Sequence, residues 1–202
     1  LIQINQENLT KHQQQKSVGN CLLIMMMMMI KYVMLTLVVI SSRPISIYAE
    51  KELMIRECHN AGVPTVCMQC LESDPASVRA DTVGIAGILI NCLDSHLHTL
   101  SNNIKKLLSK KEKGHDAIKT ALEGCKKDLS EAITKVLPVA RNGLKTGDYD
   151  KAGQSIKLAL DFPLKCRNNL QTSKFEFSLA FSQTISIYAQ LSDAAMRIID
   201  RF

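Results

Sequence analysis

The chain has 202 residues, 46% of them hydrophobic, which is enough for one domain with a real core and an appended segment. This composition excludes an intrinsically disordered chain. The formal net charge is +6. Because four of the 25 Lys and Arg residues and one of the 19 Asp and Glu residues precede Glu50, residues 50–202 carry 21 minus 18, or +3. A charge this small selects no particular class of partner.

The segment before Glu50 has the order of elements found in a secretory signal. If the initiator is one of the five methionines Met25–Met29, Lys31 supplies the positive region that opens such a signal. Residues 33–40 then form a short apolar region, and residues 41–49 form a polar region that ends in the small residue Ala49. We therefore expect cleavage after Ala49 and secretion of the remaining chain.

A signal anchor is the alternative for this segment, because the nearly apolar run of residues 21–40 is just about long enough to span a bilayer. Lys31 divides that run, which favours the cleaved signal. The first 20 residues are rich in Gln and Asn and have no apolar period, so we expect them to lie outside the fold. The predicted domains are a leader and signal segment, 1–49, and a folded domain, 50–202, with no membrane contact once the signal is cleaved.

From Glu50 onward, apolar residues recur every three or four positions, and no run alternates in the manner of a strand. This spacing predicts an all-α domain. Its first unit, residues 50–72, is predicted to be an α-hairpin of two short helices separated by Gly62-Val63-Pro64. The hairpin contains Cys58 and Cys67.

Four long helices with short connections are predicted to follow over residues 75–202. Asp74-Pro75 starts the first of them, because Asp can cap free backbone N–H groups and proline suits the first helical position. Pro138 is expected to kink the second helix. The predicted helices extend from Asp74 to about Lys111, from about His115 to Leu144, from Tyr149 to about Leu170, and from Ser173 to Phe202. Helices of this length and order form an antiparallel up-and-down four-helix bundle.

Two cysteines of the predicted bundle lie at matching heights. Cys125 is 22 residues before Gly147, and Cys166 is 19 residues after it. If the second and third bundle helices fold back at that turn, the two sulfur atoms reach about the same level. A disulfide between them then requires little distortion of the backbone.

Short motifs along residues 50–202 occur in the order found in a known family. They are the two hairpin cysteines followed by Leu71-Glu72-Ser73-Asp74-Pro75, then Ala80-Asp81, Gly84-Ile85-Ala86, the Cys125 and Cys166 pair, Thr146-Gly147-Asp148-Tyr149 and Leu191-Ser192-Asp193-Ala194. In order and spacing, these motifs resemble the plant invertase and pectin methylesterase inhibitor family. The chain departs from the family pattern at Ala61, where a threonine often stands.

The resemblance implies an all-α fold, an antiparallel four-helix bundle preceded by an α-hairpin, with two disulfides, Cys58–Cys67 and Cys125–Cys166. It also implies a secreted protein that binds a cell-wall carbohydrate-active enzyme reversibly and blocks its active-site cleft. Neither catalysis nor a cofactor is implied. The implied location is the cell wall (apoplast), with the vacuole as the alternative.

The sequence of one turn bears on the choice of target enzyme. Invertase inhibitors resemble one another in a Pro-Lys-Phe run that follows Gly-Asp and enters the invertase active site, whereas this chain has Tyr149-Asp150-Lys151 at that position. The Gly-Asp-Tyr form resembles pectin methylesterase inhibitors, which cover the esterase cleft with the faces of several bundle helices. Pectin methylesterase is therefore the expected target, and cell-wall or vacuolar invertase is the alternative.

Contact residues for the target are expected on the exposed faces of the second and third bundle helices and at their turn. By position, the candidates are Lys127, Asp128, Glu131, Lys135, Asp148, Tyr149 and Lys151. A noncatalytic propeptide-like module is a rival interpretation, since similar bundles precede pectin methylesterase catalytic domains; no such domain follows Phe202 in this sequence, which favours the inhibitor. A small-ligand carrier with a cavity in the bundle is a further alternative.

The spacing of Cys67 and Cys70 is that of a thioredoxin-like redox pair, which needs a reactive thiolate at a helix start beside a strand. No strand is predicted before Cys67. We therefore interpret Cys70 as a leftover thiol, with Cys67 bonded to Cys58, and we interpret Cys92 as a buried structural thiol. A Cys70–Cys92 bridge is left open by the sequence.

Two other groups contain the residue types of a metal or catalytic site. The candidate zinc ligands are His59, Cys67, Cys70, His96 and His98. The last two are two positions apart and lie on nearly opposite sides of a helix, which argues against a common metal. The run Asp94-Ser95-His96 has the side chains of a hydrolase triad, but adjacent helical positions diverge and cannot form the required hydrogen-bonded line.

Residues 105–113 contain five lysines and one glutamate. Such a run usually forms a solvated helix end, where cations interact favourably with the negative pole of the helix dipole. A functional version is a weak, salt-sensitive attraction to anionic wall polysaccharide. Nucleic acid is not an expected partner, because the run has no interleaved aromatic residues and the chain is predicted to be secreted.

Overall fold

The computed structural model of this chain describes residues 25–36, 51–109, 116–176 and 178–202. The chain divides into two units, Leu1–Ala49 and Glu50–Phe202. In the first unit, residues 25–36 form a helix. No helix in the described part of the chain is long and apolar enough to cross a membrane. The first 20 residues, the predicted cleavage after Ala49, and residues 21–24 and 37–40 of the apolar run lie outside the described residues. The leader and the cleaved signal stay predictions.

The second unit begins with the α-hairpin, as predicted. Its helices are α1, residues 51–60, and α2, Pro64–Glu72. Gly62 separates them with a φ of +79°, a conformation that glycine adopts without a steric penalty, and Pro64 occupies the first turn of α2, where its missing N–H costs nothing. The Cys58–Cys67 disulfide joins the two helices with a Cα–Cα distance of 5.4 Å.

The hairpin is followed by a bundle of four helical segments. They are α3, Thr82–Ser109; α4, Asp116–Glu131, which continues through a π-helical turn, Ala132–Val136, into α5, Leu137–Thr146; α6, Tyr149–Thr172; and α7, Leu179–Ile199. The described residues contain no strand. The predicted all-α fold, with an α-hairpin before an up-and-down bundle, is confirmed.

The bundle core is formed by apolar side chains at helical spacing. On α3, for example, Leu89, Leu93 and Leu97 follow one another at intervals of four residues and are all fully buried. α3 packs against α4 and α7, and α6 packs against α4, α5 and α7. Ile156 of α6 and Ile185 of α7 belong to the same buried cluster. Residues 50–202 therefore have a core of their own.

The predicted start of the first bundle helix at Asp74 is wrong. The Asp74 carboxylate does accept a hydrogen bond from the Ala76 N–H at 2.9 Å, but the helix that follows is a short 3₁₀ segment, Pro75–Arg79. Ala80 is extended, with a ψ of 133°, and the Asp81 carboxylate accepts the Gly84 N–H at 2.7 Å, so it caps α3. Asp74 and Asp81 thus each cap a separate helix, where the apolar periodicity alone predicts one continuous helix.

The predicted start of the last helix at Ser173 is also wrong, because α7 begins at Leu179. After α6, Lys174 has a φ of 58°, and the N–H of Phe175 donates to the Leu170 carbonyl at 3.0 Å. This is the geometry of a Schellman helix end. The usual sequence signal for it is glycine, and lysine stands there instead. Ser178 then caps α7 by accepting the Phe181 N–H at 3.2 Å.

A kink was expected at Pro138, and the structure has a π-helical turn, Ala132–Val136, just before it. Proline has no N–H to donate to the carbonyl four residues earlier. Just before the proline, the Leu137 N–H donates to the Ala132 carbonyl, which is five residues back and not the four of an α-helix. The chain then continues as a helix through Thr146. A wider turn therefore absorbs the proline without ending the second bundle helix.

The described residues form three disulfides where two were predicted. Both implied bonds are present, and Cys125–Cys166 joins α4 to α6 with a Cα–Cα distance of 4.9 Å. The third bond is Cys70–Cys92, with a Cα–Cα distance of 6.1 Å. The interpretation of Cys70 as a leftover thiol and of Cys92 as a free structural thiol is therefore wrong. The packing of α2 against α3 brings the two cysteines together, and this contact has no local sequence signal.

Candidate functional site

The candidate contact residues on α4 lie beside α6. The Asp128 carboxylate is 3.1 Å from Lys165 Nζ on α6. Only 16% of the Asp128 side chain is exposed, whereas Lys165 is 62% exposed. The Cys125–Cys166 disulfide lies within one turn of this ion pair on both helices. Asp128 therefore helps to join α4 to α6, and Lys165, which was not predicted, presents the charge to solvent.

The exposed side of α4 and the π turn forms a shallow polar groove of about 550 Å³. The residues that line it are Glu123, Lys126, Lys127, Ser130, Glu131, Thr134 and Lys135. Lys135 Nζ is 3.6 Å from the Glu131 carboxylate, one helical turn away. Such an exposed pair contributes little to stability. Three lysines and two glutamates are thus available to a partner at small cost to the fold.

The other three candidates belong to the turn between α5 and α6. α5 ends at Gly147, with a φ of +77°, and the Asp148 N–H donates to the Gly143 carbonyl at 2.9 Å. The Asp148 carboxylate in turn accepts the Lys151 N–H at 3.2 Å and caps α6. Asp148 and Lys151 are exposed. The backbone of this turn is therefore fixed at both helix ends.

The Tyr149 side chain is half-buried and packs against Phe202. The two ring centroids are 4.8 Å apart, and the ring planes meet at 62°, an edge-to-face arrangement. Tyr149 is therefore not simply an exposed contact residue. Part of its surface is used within the fold, and this contact between distant residues could not be read from the sequence.

The seven candidates form two patches instead of one. At about 1.5 Å per helical residue, Lys135 is about 18 Å and Lys127 about 30 Å from Gly147 along the helix axis. The structure therefore brings Asp148, Tyr149 and Lys151 together, and separately groups the four residues on α4 and the π turn.

A stripe on α6 connects the two patches. Lys151, Leu158 and Lys165 are seven residues apart, so they lie on nearly the same side of α6. Leu158 is 50% exposed, although the neighbouring core positions Ile156 and Ala159 are fully buried. Leu158 was not predicted. Its signal in the sequence is an apolar residue on the polar side of a helix whose core positions are already filled.

We call this surface the α4–α6 face. It consists of Lys127, Glu131 and Lys135 on the α4 side and of Lys151, Leu158 and Lys165 on α6. Protein interfaces commonly have an apolar core inside a polar rim, and on this face one exposed apolar residue, Leu158, lies among charged residues. The face offers hydrophobic contact near its centre and ionic contacts toward its ends.

The residues of the supposed hydrolase triad have other partners. The Asp94 carboxylate lies 3.1 Å from the Arg141 guanidinium, and the Ser95 hydroxyl donates to the Asn91 carbonyl at 3.1 Å. His96 instead lines a crevice of about 400 Å³ between α2, α3 and α7, beside the Cys70–Cys92 bond. Burial lowers the pKa of His96. Within the described residues, no group of three or more His, Cys, Asp and Glu side chains could hold a metal ion.

The lysine run is only partly described. Lys105 and Lys106 are exposed near the end of α3, where cations complement the helix dipole. The remaining lysines of the run lie outside the described residues. The predicted attraction to anionic polysaccharide therefore stays a prediction.

Two characterised proteins are similar in sequence to this chain. A pectinesterase inhibitor from Actinidia deliciosa is 28% identical over 132 residues, which is 65% of this chain and 69% of that protein. The cell wall / vacuolar inhibitor of fructosidase 2 from Arabidopsis thaliana is 30% identical over 111 residues, or 55% of this chain and 61% of that protein. Both are named as inhibitors and neither as an enzyme.

Solved structures support the fold. The crystal structure of mutant form A of a pectin methylesterase inhibitor from Arabidopsis has a TM-score of 0.59 and 17% identity, and covers 71% of this chain and 92% of that one. A pectin methylesterase inhibitor from Arabidopsis thaliana has a TM-score of 0.54 and 17% identity, with 73% and 93% covered. At this identity the likeness shows a shared fold and nothing finer.

The family model described as plant invertase/pectin methylesterase inhibitor matches residues 53–198. This range begins two residues after the start of α1 and ends one residue before the end of α7, so it covers the hairpin and the bundle almost completely. It includes the disulfides Cys58–Cys67, Cys70–Cys92 and Cys125–Cys166. Together with the order of the motifs and the helical fold, the match shows that this chain belongs to the plant invertase/pectin methylesterase inhibitor family, whose members inhibit enzymes and are not enzymes themselves.

Proposed function

We propose that this protein inhibits a pectin methylesterase by docking on the enzyme through the α4–α6 face and the turn before α6. The observation that carries the choice of target is the packing of Tyr149 on Phe202. Invertase inhibitors resemble one another in a Pro-Lys-Phe run at this turn that enters the invertase site. In this chain Lys151 stands where that run has its Phe, and the one aromatic residue of the three, Tyr149, packs against the protein's own surface, which favours a target that is covered by helix faces.

The shape of the α4–α6 face suits a broad contact with a cleft. A stable protein–protein interface needs about 800 Å² from each partner. A face that extends about 30 Å along two adjacent helices has an area of that order. Leu158 is the apolar group that a partner can bury near the centre. The lysines around it are exposed, so they act mainly on the rate of association and its salt dependence.

The test is inhibition of purified pectin methylesterase and of purified invertase by residues 50–202 in parallel. Nanomolar to micromolar inhibition of the esterase with none of the invertase is the expected result. Inhibition of the invertase alone transfers the proposal to the alternative target, for which the 30% identity to the Arabidopsis inhibitor of fructosidase is the supporting observation. If the protein inhibits neither enzyme, both proposed targets are refuted, and the interpretation as a noncatalytic propeptide-like module remains.

A matched pair of leucines tests the docking surface. Leu158 and Leu179 are both exposed, at 50% and 74%, but Leu179 is on α7, outside the α4–α6 face. Leu158→Ser should raise the inhibition constant about tenfold, which corresponds to about 1.4 kcal/mol, and Leu179→Ser should leave it unchanged. Equal effects of the two substitutions would show that another surface contacts the enzyme.

The expected place of action is the cell wall, with the vacuole as the alternative. Weak binding to anionic wall polysaccharide through Lys105, Lys106 and the lysines that follow would add to retention there. Such binding is electrostatic, so it should weaken steeply as salt is raised from about 0.05 to 0.5 M. Binding of the protein to pectate that does not respond to salt would exclude this attraction.

A further inference from the structure

The turn that begins α6 is in contact with residues that follow α7. The Tyr149 and Phe202 rings meet edge to face at 4.8 Å. Tyr149 is half-buried, and Phe202 remains 39% exposed. On the adjacent turn of α6, a Cβ placed on Gly153 would lie 3.8 Å from an Asp200 carboxylate oxygen. The end of α7 therefore lies directly beside the first turn of α6.

Phe202 is held in place by the chain that leads to it. The N–H groups of Asp200, Arg201 and Phe202 donate to helix carbonyls three or four residues earlier, at 2.8, 3.3 and 3.1 Å. The Phe202 backbone is thus a continuation of the last helical turn. An aromatic side chain on such a backbone has few rotamers available, and the one observed places the Phe202 ring against Tyr149.

Arg201 ties the same segment to the α-hairpin. Its guanidinium contacts the carboxylate of Glu57 on α1, and it also donates to the Arg197 carbonyl at 3.1 Å. Glu57 is only 6% exposed. A buried carboxylate requires a charged partner, because an unpaired one is strongly unfavourable in the interior. Glu57 has two charged partners, Arg56 at 3.7 Å and the closer Arg201, and the Arg201 pair links the residue before Phe202 to α1.

We infer that Phe202, anchored through the Arg201–Glu57 ion pair, is a positioning residue that holds Tyr149 and the Gly147–Lys151 turn in the conformation that the target enzyme binds. The identity of the target enzyme rests on the proposed function, whereas the contact between Phe202 and Tyr149 is observed in the structure. Because Phe202 acts on the enzyme only through Tyr149, the effects of replacing Phe202 and of replacing Tyr149 on the inhibition constant should not add.

The test is a double-mutant cycle with an aromatic rescue. Phe202→Ala should raise the inhibition constant of residues 50–202 several-fold, and Phe202→Tyr, which keeps the ring, should restore it. In a Tyr149→Ala background, Phe202→Ala should change nothing further, because the side chain through which it acts is absent. An unchanged inhibition constant for Phe202→Ala would overturn the inference, and so would additive effects, since they indicate that Phe202 contacts the enzyme itself.

A second readout does not need the target enzyme. The Lys151 amide donates to Asp148 within the turn, and its hydrogen exchange reports how often that turn opens. Phe202→Ala should speed this exchange several-fold, with Phe202→Tyr close to the parent, while amides in the middle of α3 remain unchanged as a control. Unchanged exchange at Lys151 would also overturn the inference. If the parent protein inhibits neither enzyme, the proposed function fails while the exchange result still decides the positioning role.

Discussion

Gly147 offers a sharp test of how the turn before α6 is built. Its φ is +77°, and a Cβ added there would meet no atom within 4 Å. Gly147→Ala therefore carries only the cost of placing a residue with a Cβ in the left-handed region, about 1–2 kcal/mol. The reduced freedom of alanine in the unfolded chain offsets about 0.4–1 kcal/mol of this. We expect a net loss of about 1 kcal/mol in the free energy of unfolding.

Gly124 is the matched control for this substitution. It lies within α4, and a Cβ there also meets no atom within 4 Å. Gly124→Ala adds the same methyl group to a helical residue and should stabilise the protein by about 0.8–1 kcal/mol. Two identical chemical changes in equally open surroundings are thus expected to have opposite signs, and to differ by about 2 kcal/mol.

Urea and thermal unfolding of residues 50–202 with the disulfides intact measure this difference. For a domain of this size, 1 kcal/mol shifts the melting temperature by about 2–4 °C, so the two variants should differ by about 4–8 °C. Equal slopes of the urea transitions establish that the same unfolding is compared. If Gly147→Ala stabilises the protein as much as Gly124→Ala, the left-handed helix end at the turn is refuted.

Three other changes test features that lie elsewhere in the fold. Lys174 has a φ of 58°, so Lys174→Gly should stabilise the protein by about 1 kcal/mol in the same urea assay; a loss of stability contradicts the helix end described there. Replacing both Cys70 and Cys92 by serine opens a 22-residue loop and should cost about 3 kcal/mol in the chain-entropy model, with faster hydrogen exchange in α2; an unchanged urea midpoint argues against the bond. Burial lowers the pKa of His96 from 6.5, so the folded state binds this proton more weakly than the unfolded chain, and stability should fall as the pH drops below 6.5 until the lowered pKa is passed. His96→Gln should remove that part of the pH dependence, and a profile identical to the parent's excludes His96 as its source.

Helix ends separate what local sequence rules could predict from what they could not. A turn was predicted at Gly147, close to the observed end of α5, and glycine is the usual residue at a left-handed helix end. The end of α6 has the same backbone geometry at Lys174, yet lysine gives no such signal, and the connection to α7 was absorbed into the predicted last helix. At the start of α3, Asp81 could have been recognised as a second cap, since aspartate before a helical run is a known start signal.

The candidate contact residues were predicted less well than the fold. Lys127, Glu131 and Lys135 were placed on an exposed helix face from periodicity, and the structure has them there. Asp128 shares their spacing, but it pairs with Lys165 on α6. Leu158 was missed because an apolar residue within a helix is ordinarily assigned to the core.

The sequence by itself determined the helical class, the hairpin, the family and the equal height of Cys125 and Cys166 on two neighbouring helices. Each of these depends on spacing along the chain or on short motifs. The tertiary structure decided the Cys70–Cys92 bond, the pairing of Asp128 with Lys165 and the packing of Tyr149 on Phe202. These contacts depend on which helix faces meet and at what height. Periodicity fixes which side of a helix is buried, but leaves open which residue of another helix lies opposite it.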